Sequence, residues 1–250
     1  MNGLSIRFFN SAAVAARTLA VDVARELSVK PPLVLGLPTG RTPVPLYAEL
    51  AALHGRGRAD FSQATTFNLD EFLGIPAGDA RSYRAFMQRH LFEHVNLSPR
   101  RINFLNGVAD DTVAECRRYE RRIVRAGGLD LLILGLGENG HIGFNEPGRT
   151  LTAGTHRTRL TAATRRANVE IFGGRLRDVP REALSMGMGT ILRARRIVLL
   201  ATGASKARTV KRLVCGPISS GMPASFLQLH GAVDVWVDTA AGAALSASVV

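Results

Sequence analysis

Three short segments combine residue types able to move protons or hold an anion. Gly135-Leu-Gly-Glu-Asn-Gly-His-Ile-Gly-Phe-Asn-Glu-Pro147 carries four glycines within nine residues, so its backbone must take an unusual path. His141 lies among those glycines just after an apolar run, an uncommon setting for a core histidine. Glu146 follows five residues on, close enough to orient or tune an imidazole. In Phe67-Asn-Leu-Asp-Glu-Phe72, Asp70 falls where a strand should end, and its carboxylate could face a crevice; helix capping or plain surface exposure is the other reading. In Leu37-Pro-Thr-Gly-Arg-Thr-Pro43, Gly40 permits a tight turn between a strand and a helix. Free N–H groups there, with the hydroxyls of Thr39 and Thr42, can hold a phosphate. An ordinary strand–helix turn would look similar, and the GxxxxGK[ST] spacing of a P-loop is absent.

Other patterns carry less. Gly135, Gly137 and Gly140 have GxGxxG spacing, but Pro147 follows and no helix pattern begins after Gly140, which argues against a dinucleotide loop. His90 and His94 stand four apart on a predicted helix, without an HExxH pattern, and read as packing residues. Ser205 and Ser225 lack the context of a nucleophile elbow.

The elements that must position these segments alternate. Strands are predicted at Leu4 to Phe9, Leu33 to Leu37, Thr65 to Leu69, Leu129 to Leu134, Arg196 to Ala201 and Val233 to Val237. Helices are predicted from Asn10 to about Leu27, after Pro43 through Leu53, Ser82 to Val95, from Asp110 or Asp111 to Val124, Ala162 to Phe172, Arg181 to Leu192, and Ser205 to Val214. The alternation argues for an α/β fold, a largely parallel sheet with helices on both faces. Ligands then bind outside the carboxyl ends of the strands. The loops Thr39 to Thr42, Asp70-Glu71, Gly135 to Glu146 and Gly203 to Lys206 can converge there.

No linker or repeat divides the 250 residues, so 1–250 reads as one domain. Hydrophobic residues make up 46% and charged residues 21%, as in soluble globular proteins. No run of about 18 apolar residues suggests a membrane span, and Met1 to Asn10 does not read as a secretory signal. Cys116 and Cys215 form no CxxC pair, which fits a reducing compartment and a cytoplasmic location. The net charge of +12 comes almost entirely from arginine, since the only lysines are Lys30, Lys206 and Lys211. With aromatic residues at 6% and no basic–aromatic stacking pattern, nucleic-acid binding is not expected.

Taken together, LGLPTGRTP (35–43), TFNLDEFLG (66–74), INFLN (102–106) and GENGHIGFNEP (137–147) resemble the glucosamine-6-phosphate deaminase family. The segments 82–95, 179–192, 203–206 and 227–230 extend the resemblance, in family order, over nearly the whole chain. The resemblance implies a modified Rossmann-like sheet shared with sugar-phosphate isomerases, and a sugar-phosphate substrate with no cofactor and no metal. It implies that Asp70 is the enolisation base and His141 the ring-opening acid/base, supported by Glu146 and Asn139. Thr39, Gly40, Thr42 and Lys206 match the phosphate-holding positions. Asn139 follows the shorter bacterial branch. Arg41 replaces a glycine of the phosphate loop, and Glu170 replaces an arginine that contacts the phosphate, so Arg41 is expected to take over that contact. Glu170 would then face solvent or pair with Arg41. His156 and Thr158 replace residues that are basic in allosteric members, and the chain ends at Val250 in a small apolar tail; hyperbolic kinetics are expected. A 6-phosphogluconolactonase-like hydrolase, or an enzyme of another 6-phosphorylated amino sugar, is the alternative, although lactonase motifs read more like DGHTAS and DER. A sugar-phosphate-sensing regulator would carry a DNA-binding segment before the first strand, which here begins almost at Met1. The sequence leaves monomer and homo-oligomer equally open.

Overall fold

The apolar runs of the sequence become the interior strands of a seven-stranded parallel sheet. This computed structural model describes residues 4–245; the last five residues of the apolar tail lie outside them. In chain order the elements are β1 (Leu4–Phe9), α1 (Ala12–Val29), β2 (Val34–Leu37), α2 (Val44–Gly55), β3 (Thr65–Asn68), β4 (Asp70–Phe72), α3 (Tyr83–His90), β5 (Ile102–Asn103) and α4 (Thr112–Arg125). They continue with β6 (Leu131–Gly135), β7 (His156–Arg159), α5 (Ala162–Ala167), β8 (Glu182–Ser185), α6 (Met188–Leu192), β9 (Arg196–Ala201), α7 (Ala207–Cys215), β10 (Val233–Asp238) and α8 (Thr239–Gly242).

The sheet runs β1-β10-β9-β6-β2-β3-β5, and every pairing in it is parallel. Its central strands β2, β6 and β9 are apolar on both faces because helices cover both. One face packs on α1, α2 and α3 through residues such as Leu19, Leu50 and Met87. The other packs on α4, α6 and α7 through Ile123, Ile191 and Leu213. Strand order reverses between β2 and β6: β3 and β5 extend to one side, β9 and β10 to the other. The loops after β2 and β6 therefore flank the crevice that such a reversal opens, where doubly wound sheets take their ligands.

A second sheet, β4-β8-β7, is antiparallel, and it corrects two sequence expectations. The third strand does not run on to end at Asp70. It stops at Asn68, whose carbonyl takes the Tyr119 hydroxyl at 2.6 Å and whose Nδ2 donates to the Leu37 carbonyl at 3.0 Å. Asp70 then opens a new strand in the other sheet. Nor do residues 181–192 form one helix. Glu182–Ser185 is a strand between β4 and β7, and only Met188–Leu192 is helical. The run Glu-Ala-Leu has good helix propensity, but tertiary pairing overrides it. Gly187 lies against the Thr152, Ala153 and Gly154 carbonyls, where any Cβ would collide. Helices 82–95 and 162–172 each break into a shorter α-helix followed by a 3₁₀ turn, at Phe92–His94 and Val169–Phe172.

Candidate active site

The β2 loop follows a strand buried along its whole length. Gly40 has φ +100°, with open space where a Cβ would stand. That left-handed turn lets the chain reverse into α2 while Thr39, Gly40 and Thr42 stay half-buried at the crevice. The Thr39 hydroxyl faces the Tyr83 phenol of α3. Arg41 is exposed, and its guanidinium makes no ion pair or hydrogen bond among the described residues; only its carbonyl is engaged, accepting the Val44 amide at 3.3 Å. Its charge reaches Lys206, which lies after β9.

The β6 loop folds back on itself. The Gly137 amide donates to the His141 carbonyl at 3.0 Å, and the Asn139 Oδ1 accepts the His141 amide at 3.1 Å. The imidazole lies directly over Gly137, where a Cβ would run into the ring. The Gly135–Gly140 stretch is not followed by a helix, as a dinucleotide loop would be. Glu146 returns to the imidazole: its Oε2 is 3.6 Å from His141 Nδ1 and accepts from Asn139 Nδ2 at 2.9 Å. Its Oε1 accepts the Thr161 amide and hydroxyl, each at 3.2 Å. Burial lowers the His141 pKa below that of a free imidazole; Glu146 opposes the shift and Lys206 adds to it. A neutral ring held beside a carboxylate can both give and take a proton near neutral pH.

Asp70 is buried at the start of β4. It pairs across the small sheet with Ser185, which in turn pairs with His156. Its Oδ2 lies near the backbone of Gly143, 3.6 Å from the point a Cβ would occupy. This contact brings the Asp-Glu segment onto the histidine loop. Loss of solvent, and then the neighbouring Glu71, push the Asp70 pKa up to about 8. Glu71 is also raised, to about 7, by burial; three backbone amides oppose that shift. A dry carboxylate of raised pKa is a strong base once ionised.

Lys206 stands opposite. It follows Gly203, whose φ is +89° and whose amide donates to Asp238 at 3.0 Å. Its Nζ is 3.9 Å from Glu138 Oε1, and burial lowers its pKa. Glu170, in the 3₁₀ turn after α5, is exposed and forms no ion pair with Arg41 or any other described residue. It therefore faces solvent, and of the two expectations for it the pairing with Arg41 is not seen.

The structure thus gathers Asp70, Asn139, His141, Glu146, Thr39, Gly40, Arg41 and Lys206 around one crevice. Four participants were not singled out from sequence: Tyr83, Asn168, Ser185 and Asn145. Tyr83 donates to Asn168 Oδ1 at 3.3 Å, and Asn145 Nδ2 braces the histidine loop against the carbonyls of Ile142 and Met186. Asn145 lies inside the FNEP run, and that position was the signal available. His90 packs against Phe86 at 4.4 Å, and His94 Nε2 contacts the Arg89 carbonyl. Among the described residues, no group of three or more His, Cys, Asp or Glu is arranged to hold a metal. No helix there is long and apolar enough to cross a membrane.

The buried Asp70 carboxylate, the His141–Glu146 pair and Lys206 lie at the switch point of a Rossmann-like α/β fold. The chain belongs to the glucosamine-6-phosphate isomerase/6-phosphogluconolactonase family, whose model matches residues 10–236. A glucosamine-6-phosphate deaminase of Halothermothrix orenii is 48% identical over 92% of this chain and 95% of its own. Glucosamine-6-phosphate deaminase 2 of Giardia intestinalis is 46% identical over 94% and 89%. The structure of a monomeric glucosamine-6-phosphate deaminase superposes with a TM-score of 0.93, at 41% identity, over 96% of this chain and 99% of that one. A 6-phosphogluconolactonase of Trypanosoma cruzi shares the fold at a TM-score of 0.77, at 18% identity over 98% of each chain.

Proposed function

We propose that this protein converts glucosamine 6-phosphate and water to fructose 6-phosphate and ammonia. The observation that supports the reading is a buried carboxylate of raised pKa, Asp70, set against the same loop that carries the His141–Glu146 pair. The relatives of 41–48% identity carry the same activity in their names. In this reading the Thr39–Thr42 loop and Lys206 hold the 6-phosphate, with Arg41 as a bidentate partner. His141, oriented by Glu146 and Asn139, takes the proton from the O1 hydroxyl and delivers one to the ring oxygen, opening the ring. Asp70 removes the C2 proton beside the new aldehyde and returns it to C1. The C2–H electron pair forms the C1=C2 bond, the carbonyl pair moves onto O1, and the substrate's C2 ammonium gives O1 its proton; protonation of this enolamine at C1 leaves a C2 iminium. Water adds there, and ammonia departs. No step of this route calls for a metal or an organic cofactor. A cytoplasmic location suits a phosphorylated substrate, and neither nucleic acid nor membrane enters the scheme.

The test is to supply glucosamine 6-phosphate and follow ammonia and fructose 6-phosphate, with 6-phosphogluconolactone in parallel. Equimolar release of both products supports the reading. Lactone hydrolysis without deamination contradicts it.

A further inference from the structure

Glu71 is buried at 1% exposure, carries a carboxylate, and has no place in the chemistry above. Its contacts are directed. Oε1 accepts the Phe72 amide at 3.0 Å and the Tyr83 amide at 2.9 Å; Oε2 accepts the Arg84 amide at 3.0 Å. Tyr83 and Arg84 open α3, whose next free amide, on Ala85, is already taken by the capping hydroxyl of Ser82 at 3.0 Å. Ser82 is thus an ordinary cap, while Glu71 ties the same turn to a distant strand. The tie is tight: a Cβ on Gly107 would strike the Phe72 carbonyl and come within 3.4 Å of Glu71 Cγ.

What the tie holds is Tyr83. Its ring lies 4.6 Å from Phe72 of β4 and stacks on Phe144 of the histidine loop at 5.9 Å. Its phenol reaches Asn168, between α5 and the turn that carries Glu170, and faces Thr39 of the phosphate loop. One side chain therefore touches four segments that frame the crevice.

We propose that Glu71 is a positioning residue of this site: its carboxylate binds the first turn of α3 to the strand that carries Asp70, and thereby sets Tyr83 across the four segments that surround the substrate. This rests on the reading of Asp70 as the base. The ionisable groups that face Asp70 are Glu71 on its own strand and the phenols of Tyr47, Tyr83 and Tyr119 from α2, α3 and α4; Arg84 faces Glu71. Removing the Glu71 charge therefore also makes Asp70 easier to ionise.

Glu71→Gln tests the role. An amide has one acceptor oxygen, and its NH₂ must face an N–H, so at least one tie to α3 is lost. The expected result is a loss in kcat/KM on the order of tenfold to a hundredfold, the scale of small misplacements in active sites. The acid limb of the kcat/KM profile should also move to lower pH. A folded variant with wild-type kcat, KM and acid limb overturns the proposal. So does one that loses only thermal stability. Should Glu71→Gln not fold, Tyr83→Phe decides: the clamp predicts a raised KM when the phenol is removed, and unchanged kcat and KM overturn it. Exchange of the substrate C2 proton with solvent keeps the two readings apart. Glu71→Gln should retain it, whereas retention in Asp70→Asn would defeat the base assignment itself.

Discussion

The two ends of the crevice are built on opposite physical terms. At one end Asp70 and Glu71 are buried, the Tyr83, Phe72 and Phe144 rings close over them, and both carboxylates are raised far above their ordinary range. At the other, Arg41 is exposed, Lys206 half-buried, and Glu138 is in reach of water. The difference suits the task proposed for each end. A base that must take a carbon-bound proton gains strength from a dry setting. A phosphate arrives hydrated and doubly charged, and is captured by cations and backbone amides that meet it from solvent. His141 stands between the two, partly buried and next to Glu146. In the proposed reaction it serves both a dry step and a wet exchange of protons.

The variants that would break this division follow in order of size. His141→Gln should slow turnover on the cyclic sugar by about 10²–10⁴-fold, with a much smaller loss on an open-chain analogue. Steady-state rates on the two substrates decide it, and equal losses would remove His141 from ring opening. At the wet end, Arg41→Gly should raise KM roughly tenfold by deleting a charge-assisted contact, with kcat little changed. Adding Glu170→Arg to that variant should recover part of the loss, since Glu170 is exposed and lies two residues from Asn168, which the Tyr83 phenol contacts. An unchanged KM would make Arg41 a surface residue.

The dry end should also cost stability as the pH rises. The folded protein holds the Asp70 proton up to about pH 8, whereas the unfolded chain releases it near 4. Stability is therefore lost as pH rises between those values, and stays lost above them. Asp70→Asn should remove that dependence, melting with the wild type near pH 4 and at least roughly 5 °C above it at pH 9. Thermal melts across this range would blunt the comparison if the gap failed to open.

Much of this division was legible in the residues themselves. The β2 and β6 strands, their glycine-shaped loops and the Asp70 and His141 positions follow from local patterns, because a buried parallel strand and a positive-φ turn each leave a mark within about ten residues. The small antiparallel sheet did not. His156–Arg159 and Asp70–Phe72 are short and polar, and Glu182–Ser185 reads as helix; the outer two are strands only because Glu182–Ser185 lies between them, and it is one only because they flank it. For the same reason the sequence carries no sign of what Glu71 holds. Its partners, the Tyr83 and Arg84 amides, lie 12 and 13 residues away in an element whose docking no local pattern encodes.

The central claim, that the buried Asp70 carboxylate moves the C2 proton, is tested most directly by exchange in deuterated water. Proton resonance can follow the C2 hydrogen of glucosamine 6-phosphate with the wild type and with Asp70→Asn at matched folded concentration. The account predicts that the wild type exchanges or transfers this hydrogen as it turns over, fastest above about pH 8 where Asp70 is ionised. In Asp70→Asn, exchange and turnover should vanish together. Wild-type exchange in that variant would contradict the account.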